Sequence, residues 1–165
     1  MFHDIIMEKG AIMKYYYIDH PISFPDSFSI TDEHANILFQ VDTKLNWGRI
    51  IKISKEHQTL RILDDKISTY FPSFTIKDEN DHKLGCIKRI FSFKAPQLDF
   101  QYKGYYIRGD YMTQSYDVAQ QATTMATIKH ISQGMDKVEI DILKDEYAID
   151  ILTFVIALEA HKALF

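Results

Sequence analysis

Ile151-Leu152-Thr153-Phe154-Val155-Ile156-Ala157-Leu158 is the stretch that decides the fold. Thr153 is its single polar residue, so a helix built from it is apolar on every side. A helix with no polar face is either enclosed by protein or spans a membrane. A spanning helix needs about 20 apolar residues, and Asp150 and Glu159 cut this run short on both sides. The segment is therefore expected to form a buried helix from about Tyr147 to Ala163, capped by Asp145 or Glu146 at its positive end.

What encloses that helix is read from the residues before it. Tyr and Phe are abundant, and aromatic residues make 13% of the chain. Such side chains suit the pleated, half-buried surface of a sheet. Short segments with period-two alternation or β-branched character run from Lys14–Ile18 through Ser27–Thr31, Ile37–Asp42, Arg49–Ile53 and Gln58–Leu63. They continue through Ile67–Tyr70, Ser73–Lys77, Leu84–Ile90, Leu98–Tyr102 and Tyr105–Tyr111, and end with Ser115–Ala119, Thr124–His130 and Lys137–Ile142. Acidic or glycine-containing turns separate many of them, among them Asp32-Glu33, Asp78-Glu79-Asn80-Asp81 and Lys103-Gly104. About a dozen strands at this spacing predict a meandering antiparallel barrel or sandwich. The expected fold is mainly β, a closed antiparallel barrel around a central hydrophobic C-terminal helix.

An internal repeat supports the meander. Ser27-Phe28-Ser29-Ile30-Thr31-Asp32-Glu33 matches Ser73-Phe74-Thr75-Ile76-Lys77-Asp78-Glu79 at an offset of 46 residues, and Leu38 and Val41 match Leu84 and Ile87 at the same offset. Each unit reads strand, acidic turn, strand. A weaker third copy is read from Tyr116 to Lys129.

Composition bounds the rest. The chain has 165 residues, with 46% hydrophobic and 25% charged, the proportions and size of one globular domain. A net charge of -4 weighs against nucleic acid as the partner. The lone Cys86 forms no internal disulfide and places the protein in a reducing, cytoplasmic compartment. Residues 1–12 lack the apolar run of a signal peptide. Lys9-Gly10-Ala11 can be encoded as AAA-GGA-GCN, a purine-rich ribosome-binding sequence just before Met13. A bacterial chain starting at Met13 is therefore expected, with residues 1–12 a non-native or disordered extension and 13–165 the domain.

The order of these segments resembles the LURP-one-related family. Ser27-Phe28-Ser29-Ile30-Thr31-Asp32 followed by Ile37-Leu38-Phe39-Gln40-Val41-Asp42 looks like its opening, and Gly85-Cys86-Ile87-Lys88, Tyr106-Ile107-Arg108-Gly109-Asp110 and Ala126-Thr127-Ile128-Lys129 are similar further on. The ending Ile151–Ala160 fits as well, with Glu159 where an Asp is common. The resemblance covers nearly the whole chain from Met13. The family belongs with the Tubby C-terminal domains and phospholipid scramblases, which implies a closed barrel of about twelve strands around a hydrophobic helix. Tubby domains bind phosphatidylinositol bisphosphate through basic residues, and those residues do not align one by one with this chain.

Reactive constellations are sparse. The sequence has no phosphate-binding loop and no nucleophile elbow. Its seven histidines fall at no zinc-binding spacing. Cys86 sits inside a strand as a half-buried thiol. Asp64-Asp65, and Asp78 with Asp81, are acidic turns before they are cation ligands. No cofactor, no metal and no catalytic residue is assigned. The charges that stand out are Arg49, Lys52, Lys88, Arg89 and Lys94, because Lys88-Arg89 interrupts an apolar strand just ahead of Ile90-Phe91-Ser92-Phe93-Lys94. Basic groups beside aromatic ones dock on anionic lipid headgroups, at about 1 kcal/mol per charge. The plainer reading is a solvated strand face with lysines that discourage edge-to-edge aggregation. No catalytic set is read, and the family resemblance implies a non-enzymatic binding domain for an anionic phospholipid or another amphiphile, cytoplasmic and peripheral at a membrane. A protein-interaction scaffold is the alternative, and a lipid-handling enzyme has no catalytic set behind it.

Overall fold

In a computed structural model, residues 12–66, 72–90, 93 and 97–164 are described. The expected strand at Ile67–Tyr70, the side chain of Lys94 and the extension before Ile12 lie outside them.

Twelve strands form one antiparallel sheet: β1 Met13–Ile18, β2 Asp26–Thr31, β3 Ile37–Leu45, β4 Gly48–Lys55, β5 Gln58–Lys66, β6 Ser73–Asp78, β7 Lys83–Ile90, β8 Gln97–Gln101, β9 Tyr105–Asp110, β10 Ser115–Gln120, β11 Thr123–Ile131 and β12 Lys137–Ile142. Their spatial order is β8-β7-β6-β5-β4-β3-β2-β1-β12-β11-β10-β9, so every neighbour is a neighbour in sequence except β1 with β12. Those two join along six residue pairs, Met13↔Ile142 to Ile18↔Lys137. That pairing folds the meander back on itself.

The barrel is nearly closed rather than closed. Its two margins, β8 and β9, are consecutive in the chain but are not hydrogen-bonded to each other. Phe154 of the central helix bridges them, packing at 5.3 Å from the Phe100 ring and 5.6 Å from the Tyr105 ring. Apolar contact replaces the missing ladder there.

The helix, α1, spans Ala148–Ala163 and follows a 3-10 turn at Asp145–Tyr147. Every residue from Ile151 to His161 is buried, so the sheet surrounds it. Inward positions of the strands complete the core, among them Ile51, Ile53, Leu63, Phe74, Ile76 and Ile140. Burying each aliphatic or Phe side chain contributes about 1.5–3 kcal/mol. One sequence expectation is corrected here. Neither Asp145 nor Glu146 caps α1, whose cap position is Tyr147 with no side-chain bond. The Asp145 carboxylate instead accepts the hydroxyl of buried Tyr15. The start of α1 is held by Asp150, which accepts from Tyr102 Oη at 2.5 Å and Arg61 Nη2 at 3.1 Å.

The repeat is physical. Asp32 Oδ1 accepts the amides of His34 and Asn36, and Asp78 Oδ1, 46 positions on, accepts those of Asn80 and His82, each at 2.9 Å. Ala35 and Asp81 take the same left-handed φ, 65° and 67°. Both hairpins carry a bulge just before the turn, at Ile30/Thr31 and Ile76/Lys77.

Candidate functional site

The barrel has two unlike ends. Around the start of α1 lie the tight hairpins at 32–36, 56–57 and 79–82. Around its finish lie the connections 19–25, 46–48, 111–114 and 132–136 and the strand ends Lys66, Ser73, Ile90 and Gln97. At this second end the apolar interior gives way to two groups of inward polar side chains.

The first group sits on β4, β5 and β7. Arg49 is directly across the ladder from Asp65, and its Nη1 lies 2.9 Å from Asp65 Oδ2. Asp65 is buried and also takes the Ser73 amide at 3.1 Å. Next to it, His161 of α1 donates from Nε2 to the Ile87 carbonyl at 2.7 Å and presses edge-on against Phe74. Burial, with Arg89 adding repulsion, holds the His161 pKa below the usual histidine value. Its Nδ1 is buried and has no partner among the described residues.

The second group is built from the last turns of α1, the β1–β2 and β9–β10 connections and β11. Glu159 is 3% exposed. Lys162 Nζ lies 3.0 Å from its Oε2, and the buried Gln114 amide donates to both its oxygens at 3.3 Å. The same amide reaches Asp19 Oδ1 at 2.8 Å, while His130 Nε2 lies 3.2 Å from Asp19 Oδ2. Burial raises the Glu159 pKa. It also pushes the fully enclosed Tyr17 and Tyr116 hydroxyls well above their usual range, with the Glu159 charge adding to both. Neither hydroxyl has a hydrogen-bond partner among the described residues. A pocket of about 350 Å³ opens over this group between Asp19, His20, Pro21 and the last turn of α1.

Ser132 Oγ lies 3.2 Å from His130 Nδ1, which lines up serine, histidine and Asp19. Ser132 and His130 are both exposed, so nothing among the described residues there excludes water or grips an acyl group. The contact ties the end of β11 to the β1–β2 connection. Cys86 is buried with its Sγ 3.6 Å from Gln101 Oε1. Asp64-Asp65, expected to be a turn, lies within β5 paired to Ile50 and Arg49, and Lys77 binds Asp64 and Asp81 while Asp78 holds backbone amides.

The five basic residues singled out in the sequence do not form one patch. Arg49 and Arg89 share the inward parity of Ile51 and Ile87 and point into the mouth beside α1. Lys52 and Lys88 take the opposite parity on the outer wall, with Lys52 across from Asp42 and Lys88 Nζ 3.9 Å from Asp99 Oδ2. Lys94 is outside the described residues. The Glu159–Gln114–Asp19 group had no signal in the sequence except one, a carboxylate closing an apolar helical run.

The residues that match the LURP-one-related family model are 13–159, which is the whole barrel and most of α1. The chain belongs to the LURP-one-related family. No curated protein matches it. Among solved structures, this LURP-one-related domain is similar to an X-ray structure of a protein from Arabidopsis thaliana. That pair is 16% identical, covers 88% of this chain and 89% of the other, and superposes with a TM-score of 0.52. At that identity the likeness establishes the shared fold. No helix among the described residues is long and apolar enough to cross a membrane.

Proposed function

We propose that this LURP-one-related domain is a non-enzymatic binding module for an anionic phospholipid surface, and that it binds with the barrel end at which α1 finishes. The observation that carries the reading is the end of β7. Lys88, whose side chain is 44% exposed, shares the outer face there with Ile90, which is 38% exposed, ahead of Phe93, which is 94% exposed, while Arg89 turns into the adjoining mouth. Cationic and large apolar groups side by side match a headgroup layer above an acyl layer. Among the described residues the interior is taken up by α1, whose residues 151–161 are all buried.

Flotation with phosphatidylcholine vesicles, with and without phosphatidylserine, tests the proposal. Partition is expected to require phosphatidylserine and to weaken with salt. Lys88→Glu is expected to weaken it about thirtyfold, two charges' worth of attraction near the surface. No partition at low salt retires the membrane reading.

The alternative, a protein-interaction domain, has its own observation. β1 and β2 pair at one position, Tyr16↔Thr31, and the splay leaves an outer groove of about 590 Å³ lined by Ile18, Phe28 and Met135 among others. Loss of a co-purifying partner on Met135→Asp, with no vesicle binding, would favour it.

A further inference from the structure

The β3–β4 hairpin ends in a side chain that folding does not use. Leu45 pairs with Arg49, so Asn46, Trp47 and Gly48 make the turn. Asn and Gly supply the turn chemistry. Trp47 supplies none, and it is 93% exposed. Inward positions of β3 are Phe39, Val41, Thr43 and Leu45, and the first three are buried while Leu45 is 56% exposed. The hairpin therefore projects beyond the core, carrying an apolar pair past the rim. A tryptophan covers roughly 150–250 Å² of contact surface when it is buried.

Charge identifies what this tip meets. At the tip end of the hairpin, residues 43–50 hold two cations, Lys44 and Arg49, and no carboxylate. Asp65 neutralises Arg49 from the neighbouring strand, and Lys44 is exposed next to Leu45. An apolar tip with a cation beside it, Lys44, complements an anionic bilayer, in which tryptophan settles at the headgroup level. The strand register puts this hairpin at the same barrel end as Lys88 and Arg89. We infer that the hairpin is a membrane-penetrating tip, with Trp47 and Leu45 entering the interface of an anionic phospholipid bilayer and Lys44 lying among the headgroups. The inference rests on the membrane reading above and adds the residues that insert.

Trp47 is the chain's single tryptophan, so its emission reports on this position without a label. Full-length protein is titrated with phosphatidylcholine vesicles containing phosphatidylserine, and with pure phosphatidylcholine as control, while flotation is followed in parallel. The expected result is a blue shift and loss of aqueous quenching with the anionic vesicles only. Trp47→Ala is expected to weaken partition about tenfold and Trp47→Phe to keep most of it. Thermal unfolding of both variants should match the parent, because the side chain is outside the core. Flotation with an unshifted emission, or full partition of Trp47→Ala, overturns the hairpin assignment and leaves the membrane reading standing. Absence of flotation overturns both.

Discussion

Gly85 shows how one atom constrains the sheet. A Cβ built there would lie 2.1 Å from the Gln101 carbonyl oxygen, inside the β7–β8 pairing. The clash is with backbone, so it is relieved only by separating the strands. Gly85→Ala is expected to cost about 3 kcal/mol or more, measured as a shift in urea midpoint. His161 makes the second residue-scale prediction. Its Nε2–H is committed to Ile87, and a proton on the enclosed Nδ1 would find no acceptor among the described residues. The last turn of a helix ordinarily favours a cation, but burial outweighs it and the folded pKa falls below the ordinary 6.5. Below that value the unfolded chain binds a proton that the folded one refuses. Stability is therefore expected to be complete above pH 6.5 and to decline as pH falls towards the folded pKa. Chemical denaturation across that range should show the slope, and His161→Gln should flatten it while keeping a donor for Ile87.

Two kinds of element bear the architecture. The paired hairpins β2–β3 and β6–β7 use Asp32 and Asp78 as identical turn clamps, and both carboxyls are held below their usual pKa. For Asp32 the chief cause is the Asn36 side chain, and for Asp78 the His82 amide. Asp32→Ala and Asp78→Ala are expected to lower the melting temperature by similar amounts, with each Asn variant losing less. The helix matters far more. Phe154 is fully buried between the barrel's unpaired margins, and Phe154→Ala is expected to cost about 3–5 kcal/mol. A chain ending at Lys144 should show no cooperative melt by circular dichroism, because the strands would face an empty interior. These elements were legible in advance. Twelve strands and the helix sit where alternation and the apolar run put them, and the repeat survives down to its turn amides. The capping role expected of Asp145 failed because a tertiary partner, Tyr15, was available to take the carboxylate.

The whole molecule is polar in the directional sense: one end is sealed by short acidic turns and the other carries the helix terminus, the inward ion pairs and Trp47. End-on membrane contact predicts a control as well as an effect. Ile37 is 67% exposed at the opposite end, and Ile37→Ser is expected to leave vesicle partition unchanged under conditions where Lys88→Glu weakens it. The candidate site itself was only half legible. Sequence picked out Lys88 and Arg89 as neighbours, but their alternation sends one to the outer wall and the other into the mouth. Glu159, Gln114 and Asp19 lie 45 or more positions apart and meet only because β1 pairs with β12 and closes the circle. Strand periodicity and an all-round apolar helix are local properties, so the sequence alone determined a β meander with a buried C-terminal helix. Which charges converge at one end, and that the last pair of margins is closed by Phe154 rather than by hydrogen bonds, was decided only in three dimensions, because register and ring closure depend on partners far apart in the chain.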